Sequence, residues 1–273
     1  MSEVVVSEPQ GATAAPALRC EGIMKAFQGV RAVNGATFEV PEGQITALIG
    51  PNGAGKTTVV NILSGSMTCD GGSEHIGSTE VTNWPSHRIA RLGLMRTFQL
   101  SRELGGLTVL ENLLTAPMEQ AGESLFNVFF RPGLVRNQER ENAERALDVL
   151  NTYGLYRLRD NRASELSGGQ KKLLEISRAV MASPKILLLD EPMAGVNPAL
   201  IERIGGYILD LKAQGVTVLM IEHNLNVVEK ICDHVIVLAE GRTLATGRLS
   251  ELRENAEVVQ AYLGEVIDAS TVR

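Results

Sequence analysis

The sequence has no basic excess. Twenty-six Lys and Arg stand against 32 Asp and Glu, a formal charge of −6 with a pI near 5.4. A general electrostatic grip on nucleic acid needs the opposite balance, so no nucleic-acid partner is expected. Cysteine is sparse and ungrouped: Cys20, Cys69 and Cys232 form no CxxC pair and no Cys/His cluster. Neither a disulfide framework nor a zinc site is indicated, and reduced cytosolic thiols are the expectation. Long apolar runs are missing too. "KILLLDE" and "VTVLMIE" fall far short of the roughly 20 residues that cross a bilayer as a helix. The opening "MSEVVVSEPQGATAAPA" lacks a basic n-region, so residues 1–16 read as a mobile lead-in and not as a signal peptide.

What remains is an ordinary globular composition, 44% apolar over 273 residues, enough for one large core or two modest ones. Ala17 to Val40 reads as short strands with turns at "QGV" and "NGA". "ITALIG" (45–50) is a buried strand that runs into a glycine loop, followed by a helix from Lys56 to about Leu63. "MRTFQ", "ILLLD" and "TVLMIE" are further apolar runs bounded by helical stretches, the pattern of a mainly parallel, helix-covered sheet. The fold class is therefore α/β. Between Leu107 and Leu166 the spacing is helical throughout, opened by a capping box of Thr108 and Glu111, and this is read as a helical insert. "HVIVLAEG" and "RTLATG" are two strands sharing a turn at Glu240 and Gly241, and a helical tail follows.

Chemistry concentrates at four places. "GPNGAGKTT", Gly50 to Thr58, satisfies G-x-x-x-x-G-K-[ST] with a strand before it and a helix after it. Glycines let backbone N–H groups curl around phosphates, the helix N-terminus adds positive potential, Lys56 reaches the β- and γ-phosphates, and Thr57 suits Mg²⁺. "ILLLDE" ends a strand with Asp190, placed for the outer shell of that cation, and Glu191, placed to orient or deprotonate a water. Taken alone, such a pair is also an ordinary acidic strand end. His223 follows "VLMIE", and Gln99 follows "LMRTF", so both are candidates for the same sheet edge. Finally, "LSGGQ" (166–170) offers a literal S-x-x-Q cap from Ser167 and Gln170. A cap does not account for Gly168 and Gly169, which each cost roughly 1 kcal/mol in a helix interior and make sense where backbone must approach a ligand.

With "GPNGAGKTT", "ILLLDE", "LSGGQ" and His223 in this order, the chain from about Ala17 onward resembles the ATP-binding subunits of ABC transporters. "HRIARLGLMRTFQL", "LTVLENLL", "DEPMAGVNP", "IEHNLNVVEKICD" and "VVQAYLGE" resemble most the ATPase subunits of branched-chain amino-acid importers. The resemblance implies an antiparallel β subdomain beside the nucleotide-binding core. It implies an ATPase domain over 17–250, a helical subdomain at about 100–183 and a helical tail over 251–273. It assigns Phe27 to the adenine, and Gly50, Pro51, Asn52, Gly53, Ala54, Gly55, Lys56, Thr57 and Thr58 to the phosphates. Thr57, Gln99 and Asp190 go to Mg²⁺, Asp190 through water; Gln99 also links the metal and the attacking water to the membrane partner, and it counts with Lys56 among the catalytic residues. Glu191 becomes the base and His223 a contact of the γ-phosphate. Ser167, Gly168, Gly169 and Gln170 would close over the nucleotide of a second copy. Implied partners are a second ATPase, two transmembrane permease subunits on the inner face of the membrane and, indirectly, an extracytoplasmic solute-binding protein. Lipopolysaccharide export and urea or amide import are the neighbouring functions, and a soluble ABC ATPase is the alternative of another class. The chain departs from the wider family at Asn197, where Asp is usual, and in the polar, glycine-broken "CDGGSEHIGSTEVTNWP".

Overall fold

A computed structural model describes residues 16–97 and 104–261. Among these, ten strands form two sheets. The larger has six strands in the order β10-β9-β3-β8-β7-β6: β3 (Ile45–Ile49), β6 (Leu94–Arg96), β7 (Ile186–Asp190), β8 (Thr217–Ile221), β9 (His234–Ala239) and β10 (Arg242–Gly247). All run parallel except β10, which pairs antiparallel with β9. Every residue of β3, β7 and β8 is buried, which is why their sequences are unbroken apolar runs instead of alternating ones. The two-residue period still sorts their side chains. Leu187, Leu189, Val218 and Met220 face the core shared with the helical insert, and Leu188, Leu219 and Ile221 face the core under the second sheet.

That second sheet has the order β2-β1-β4-β5, from β1 (Pro16–Phe27), β2 (Val30–Pro41), β4 (Gly71–Ile76) and β5 (Thr79–Glu80). The expectation of short strands here needs correcting. β1 and β2 are twelve residues each, the turn at Gln28 and Gly29 is present, but "NGA" lies inside β2. There the register shifts between Ile23↔Ala36 and Met24↔Asn34, Gly35 adopts φ +92°, and the Asn34 N–H donates to Gly241 O at 2.7 Å. A bulge and a turn call for the same residues locally, and here the tertiary partner selects the bulge. Pro16, expected in the lead-in, already pairs with Pro41.

The polar hairpin also resolves. β4 pairs with β1 through Cys20↔Glu74, and Gly77 turns it into β5. Glu74 is 1% exposed, with neither carboxyl oxygen hydrogen-bonded, and burial pushes its pKa up to about 8. A carboxyl whose folded pKa is raised is tolerated while protonated, and its stability contribution is lost as pH rises from its ordinary range through about 8. Glu74→Met is accordingly expected to be more stable than the parent by about 2 to 4 kcal/mol at pH 8.5, with the difference shrinking towards pH 5. Urea unfolding at both pH values checks this, and a difference independent of pH refutes it.

The helices are α1 (Lys56–Leu63), α2 (Ser86–Arg91), α3 (Val109–Leu114), α4 (Leu125–Phe130), α5 (Pro132–Thr152), α6 (Gly168–Met181), α7 (Pro198–Ala213), α8 (Leu225–Ile231) and α9 (Leu249–Leu252). Thr108 and Glu111 form both bonds of the expected capping box on α3. Val109, Leu113, Ala146, Leu150, Leu173 and Leu174 join Leu187 and Leu189 in one core, so the insert packs directly on the parallel sheet. Of the described part of the tail, residues 251–252 end α9 and residues 256–261 are helical.

Candidate functional site: a phosphate loop, an acidic strand end and a glycine-led helix

The order β3-β8-β7 places three strand ends side by side. Leu48 is level with Ile221, and Ile221 with Asp190, so the glycine loop after β3, His223 after β8 and Glu191 after β7 emerge along one edge. This is where open α/β sheets bind ligands.

The loop is tightly supported. Gly50 and Gly55 have φ of +152° and +96°. A Cβ at Gly50 would lie 2.1 Å from Leu238 O, and one at Gly55 would lie 2.4 Å from Ala32 O, so only glycine fits either position. Gly241 N donates to Ala54 O at 3.2 Å, which fixes the loop on the β9–β10 turn. Lys56 is 7% exposed, and its ammonium donates to Gly50 O and Pro51 O at 2.7 and 2.8 Å. α1 starts from Gly55 with no side-chain cap and no acidic residue in its first turn, so no carboxylate of that turn offsets its positive end. Thr57 is exposed at the mouth of the loop.

Glu191 and His223 meet: Glu191 Oε1 is 2.9 Å from His223 Nε2. Glu191 takes φ +48°, a conformation uncommon for a side-chain-bearing residue and concentrated at functional sites. It is held there by its N–H on Ile221 O at 3.1 Å and by Lys172 Nζ on its carbonyl at 3.3 Å. Asp190 is 2% exposed; its Oδ2 is 3.0 Å from Arg96 Nη2, and its Oδ1 has no hydrogen-bond partner among the described residues.

α6 begins with both halves of the expected cap: Ser167 N donates to Gln170 Oε1, and Gln170 N to Ser167 Oγ. The two glycines serve different ends. A Cβ at Gly169 would lie 2.4 Å from Leu200 Cδ2 of α7, whereas one at Gly168 would meet nothing within 4 Å. Gly169 thus admits a packing neighbour, and Gly168 leaves backbone bare to solvent. Asn197 caps α7 through Oδ1, which accepts from Leu200 N at 2.9 Å. Capping needs the oxygen and not the charge, so the amide suffices for that task.

The model for ABC transporters matches residues 33–194. The probable branched-chain amino acid transport ATP-binding protein LivG of Archaeoglobus fulgidus is 43% identical over 247 residues, 90% of this chain and 95% of that one. The high-affinity branched-chain amino acid transport ATP-binding protein BraF of Pseudomonas aeruginosa is 40% identical, covering 92% and 98%. This chain belongs to the ABC transporter ATPases. A crystal structure of a nucleotide-free ATP-binding cassette from an ABC transporter superposes with a TM-score of 0.78 at 38% identity, covering 90% of this chain and 98% of that one. The ADP conformation of an ATP-binding cassette of an ABC transporter gives 0.77 at the same identity, covering 92% and 100%.

As an ABC ATPase the chain binds and hydrolyses ATP. Its residues also fit a divalent cation, because Asp190 Oδ1 is a buried carboxylate oxygen with no hydrogen-bond partner at the strand end beside the phosphate loop. Phe27 ends β1 at 44% exposure, with the Lys25 ammonium over its ring at 5.8 Å from the centroid, so it is not a core residue. Gln99 lies outside the described residues.

The sequence reading did not find three residues. Arg96 anchors Asp190 and reaches Asn61 Oδ1 of α1 at 2.7 Å and Ser64 Oγ, just past the end of α1, at 3.1 Å. Glu222, 4% exposed, accepts N–H bonds from Met193, His223 and Asn224, tying the loop after β7 to the end of β8. Its pKa is raised by burial, against those backbone bonds. Lys172 joins the glycine-led helix to Glu191. Only the position of Glu222 immediately before His223 could have hinted at its role.

Proposed function

We propose that this ABC ATPase energises an importer of branched-chain or related amino acids. The observation that carries the reading is the extent of the likeness to branched-chain amino acid transport ATP-binding proteins, about two residues in five along nine tenths of the chain. The site geometry agrees with it. MgATP would lie on Gly50–Thr58 of one copy, with adenine against Phe27, and be closed by Ser167, Gly168 and Gly169 of a second ATPase. Gln170, engaged in the helix cap, would hold that surface in shape. Thr57, Gln99 and Asp190 would hold Mg²⁺, which when bound neutralises phosphate charge. Glu191 accepts the proton of the attacking water, and His223, 2.9 Å from its carboxylate, aims it and faces the γ-phosphate. Closure on ATP and loosening after hydrolysis would drive two permease subunits, contacted through the helical insert, that receive solute from an extracytoplasmic binding protein. On this reading the chain would work at the cytoplasmic face of the membrane, held there by the permease subunits.

Co-purification from membranes, followed by uptake of labelled leucine and urea by the reconstituted complex, tests the proposal. Two permease subunits and ATP-dependent leucine uptake are expected. Failure to retain any membrane subunit, or uptake of urea alone, overturns it.

A further inference from the structure

The side chains of His223 and Glu191 meet at 2.9 Å, yet they are 45% and 23% exposed. Packing does not clamp an imidazole that is nearly half open to solvent, so its aim depends on the backbone that carries it. The ladder between β7 and β8 reaches as far as Glu191 N on Ile221 O at 3.1 Å. His223 lies two residues beyond that bond.

One side chain continues the seam where the ladder stops. Glu222 is 4% exposed; its Oε1 accepts from Met193 N at 3.1 Å, and its Oε2 accepts from His223 N at 3.1 Å and Asn224 N at 3.3 Å. Met193 is itself buried in the core shared with the helical insert. Oε1 therefore fastens the carboxylate to a fixed point two residues past Glu191, while Oε2 holds the backbone of His223. A carboxylate suits this task because it only accepts, and its two oxygens offer about four lone-pair sites to the three N–H donors. Glutamine, of the same length, has one accepting oxygen and would turn its amide donors on the remaining N–H. Since Oε2 serves two donors and Oε1 one, the amide oxygen would take the Oε2 side, and Met193 N would lose its acceptor.

We propose that Glu222 is a positioning residue for hydrolysis: its buried carboxylate locks the backbone of His223 to the loop behind Glu191, so that base and imidazole meet the attacking water as one unit. The inference rests on the roles of Glu191 and His223 proposed above. None of the three bonds reaches the loop from Gly50 to Thr58, so Glu222 acts on turnover and not on the hold on nucleotide.

The test is ATP hydrolysis by the full chain, with Glu222→Gln made alone and in the Glu191→Gln and His223→Ala backgrounds. Alone, it is expected to lower kcat by roughly 10- to 100-fold, the scale of an ångström's misplacement, with KM for ATP within about threefold of the parent. In either background it should cost less than about threefold more, because the pair it aligns is already broken. Glu222→Asp keeps the charge and both oxygens but draws them back by one methylene, so its kcat should lie between those of the parent and Glu222→Gln. Thermal unfolding monitors folding, and Glu222→Asp carries the same comparison where the Gln variant does not fold. A kcat near the parent's, a loss confined to KM, or equal losses in the parent and Glu191→Gln backgrounds overturns the proposal while leaving Glu191 as the base. Turnover of Glu191→Gln itself within tenfold of the parent removes the base, and this proposal with it.

Discussion

Glu191→Gln is expected to lower the ATP turnover number by a factor of roughly 10² to 10⁴ while leaving nucleotide affinity within about threefold of the parent. The amide is the same size and can keep a hydrogen bond to His223, now 2.9 Å from the carboxylate. It cannot take a proton from water. The backbone conformation that aims residue 191, φ +48°, is fixed from outside the side chain by Ile221 O, by Lys172 and, through Met193, by Glu222. The substitution therefore removes basicity and little else. Binding rests on the loop around Lys56, whose ammonium is held by Gly50 O and Pro51 O. With hydrolysis stopped and binding intact, the MgATP-bound pair should persist, so gel filtration of the variant with ATP is expected to show a dimer that disperses without nucleotide. Phosphate release and fluorescent-nucleotide titration separate the two effects. A turnover within tenfold of the parent removes Glu191 from the role of base, and a variant monomeric under all conditions counts against the two-copy site.

Legibility in the sequence follows how local each constraint is. The loop from Gly50 to Thr58 was readable in full, because its helix start and both indispensable glycines act within nine residues, even though the atoms that make those glycines indispensable, Leu238 O and Ala32 O, are remote. Buried parallel strands were readable because two covered faces leave only apolar side chains. The capping boxes at Thr108 and Ser167 were readable since both partners lie three residues apart. "NGA" was misplaced because the partner that converts a turn signal into a bulge, Gly241, is two hundred residues away. The hairpin around Glu74 hid a buried carboxyl for a related reason: a polar strand announces a solvent face, and only the pairing with Cys20 reveals that it points inward. Arg96 escaped notice because nothing in "LMRTFQ" marks an arginine beside an apolar strand as an internal counter-charge.

Arg96 carries the second large expectation. Its pair with Asp190 is almost fully enclosed, with side-chain exposures of 7% and 2% at 3.0 Å. Arg96→Ala should therefore destabilise the fold by about 3 to 5 kcal/mol, because the carboxylate is left buried without its counter-charge. That is roughly 10 °C in Tm for a chain of this size. Ser64→Ala, which removes the 3.1 Å contact with Arg96 together with the hydroxyl's contacts to Asn61 O and Ser66 Oγ at 3.2 and 3.1 Å, should cost only about 1 to 2 kcal/mol. A purely structural ion pair would leave the Arg96→Ala deficit constant across ligand conditions. The position of Asp190 predicts otherwise: Oδ1 is without a hydrogen-bond partner, and a divalent cation bound with nucleotide beside it supplies positive charge of its own. The deficit should then narrow when Mg²⁺ and ATP are added together and persist with ATP in chelator, a linkage that thermal unfolding reads directly. A deficit under 1 kcal/mol, or one indifferent to the cation, would falsify this account. Because Arg96 also grips Asn61 of α1 and stands three residues before Gln99, the same side chain joins the phosphate helix, the acidic strand end and the segment leading to Gln99. Loss of the guanidinium should consequently raise the Mg²⁺ concentration needed for half-maximal nucleotide binding, and Arg96→Lys, which keeps the charge but not the forked reach to both elements, should fall between parent and Ala.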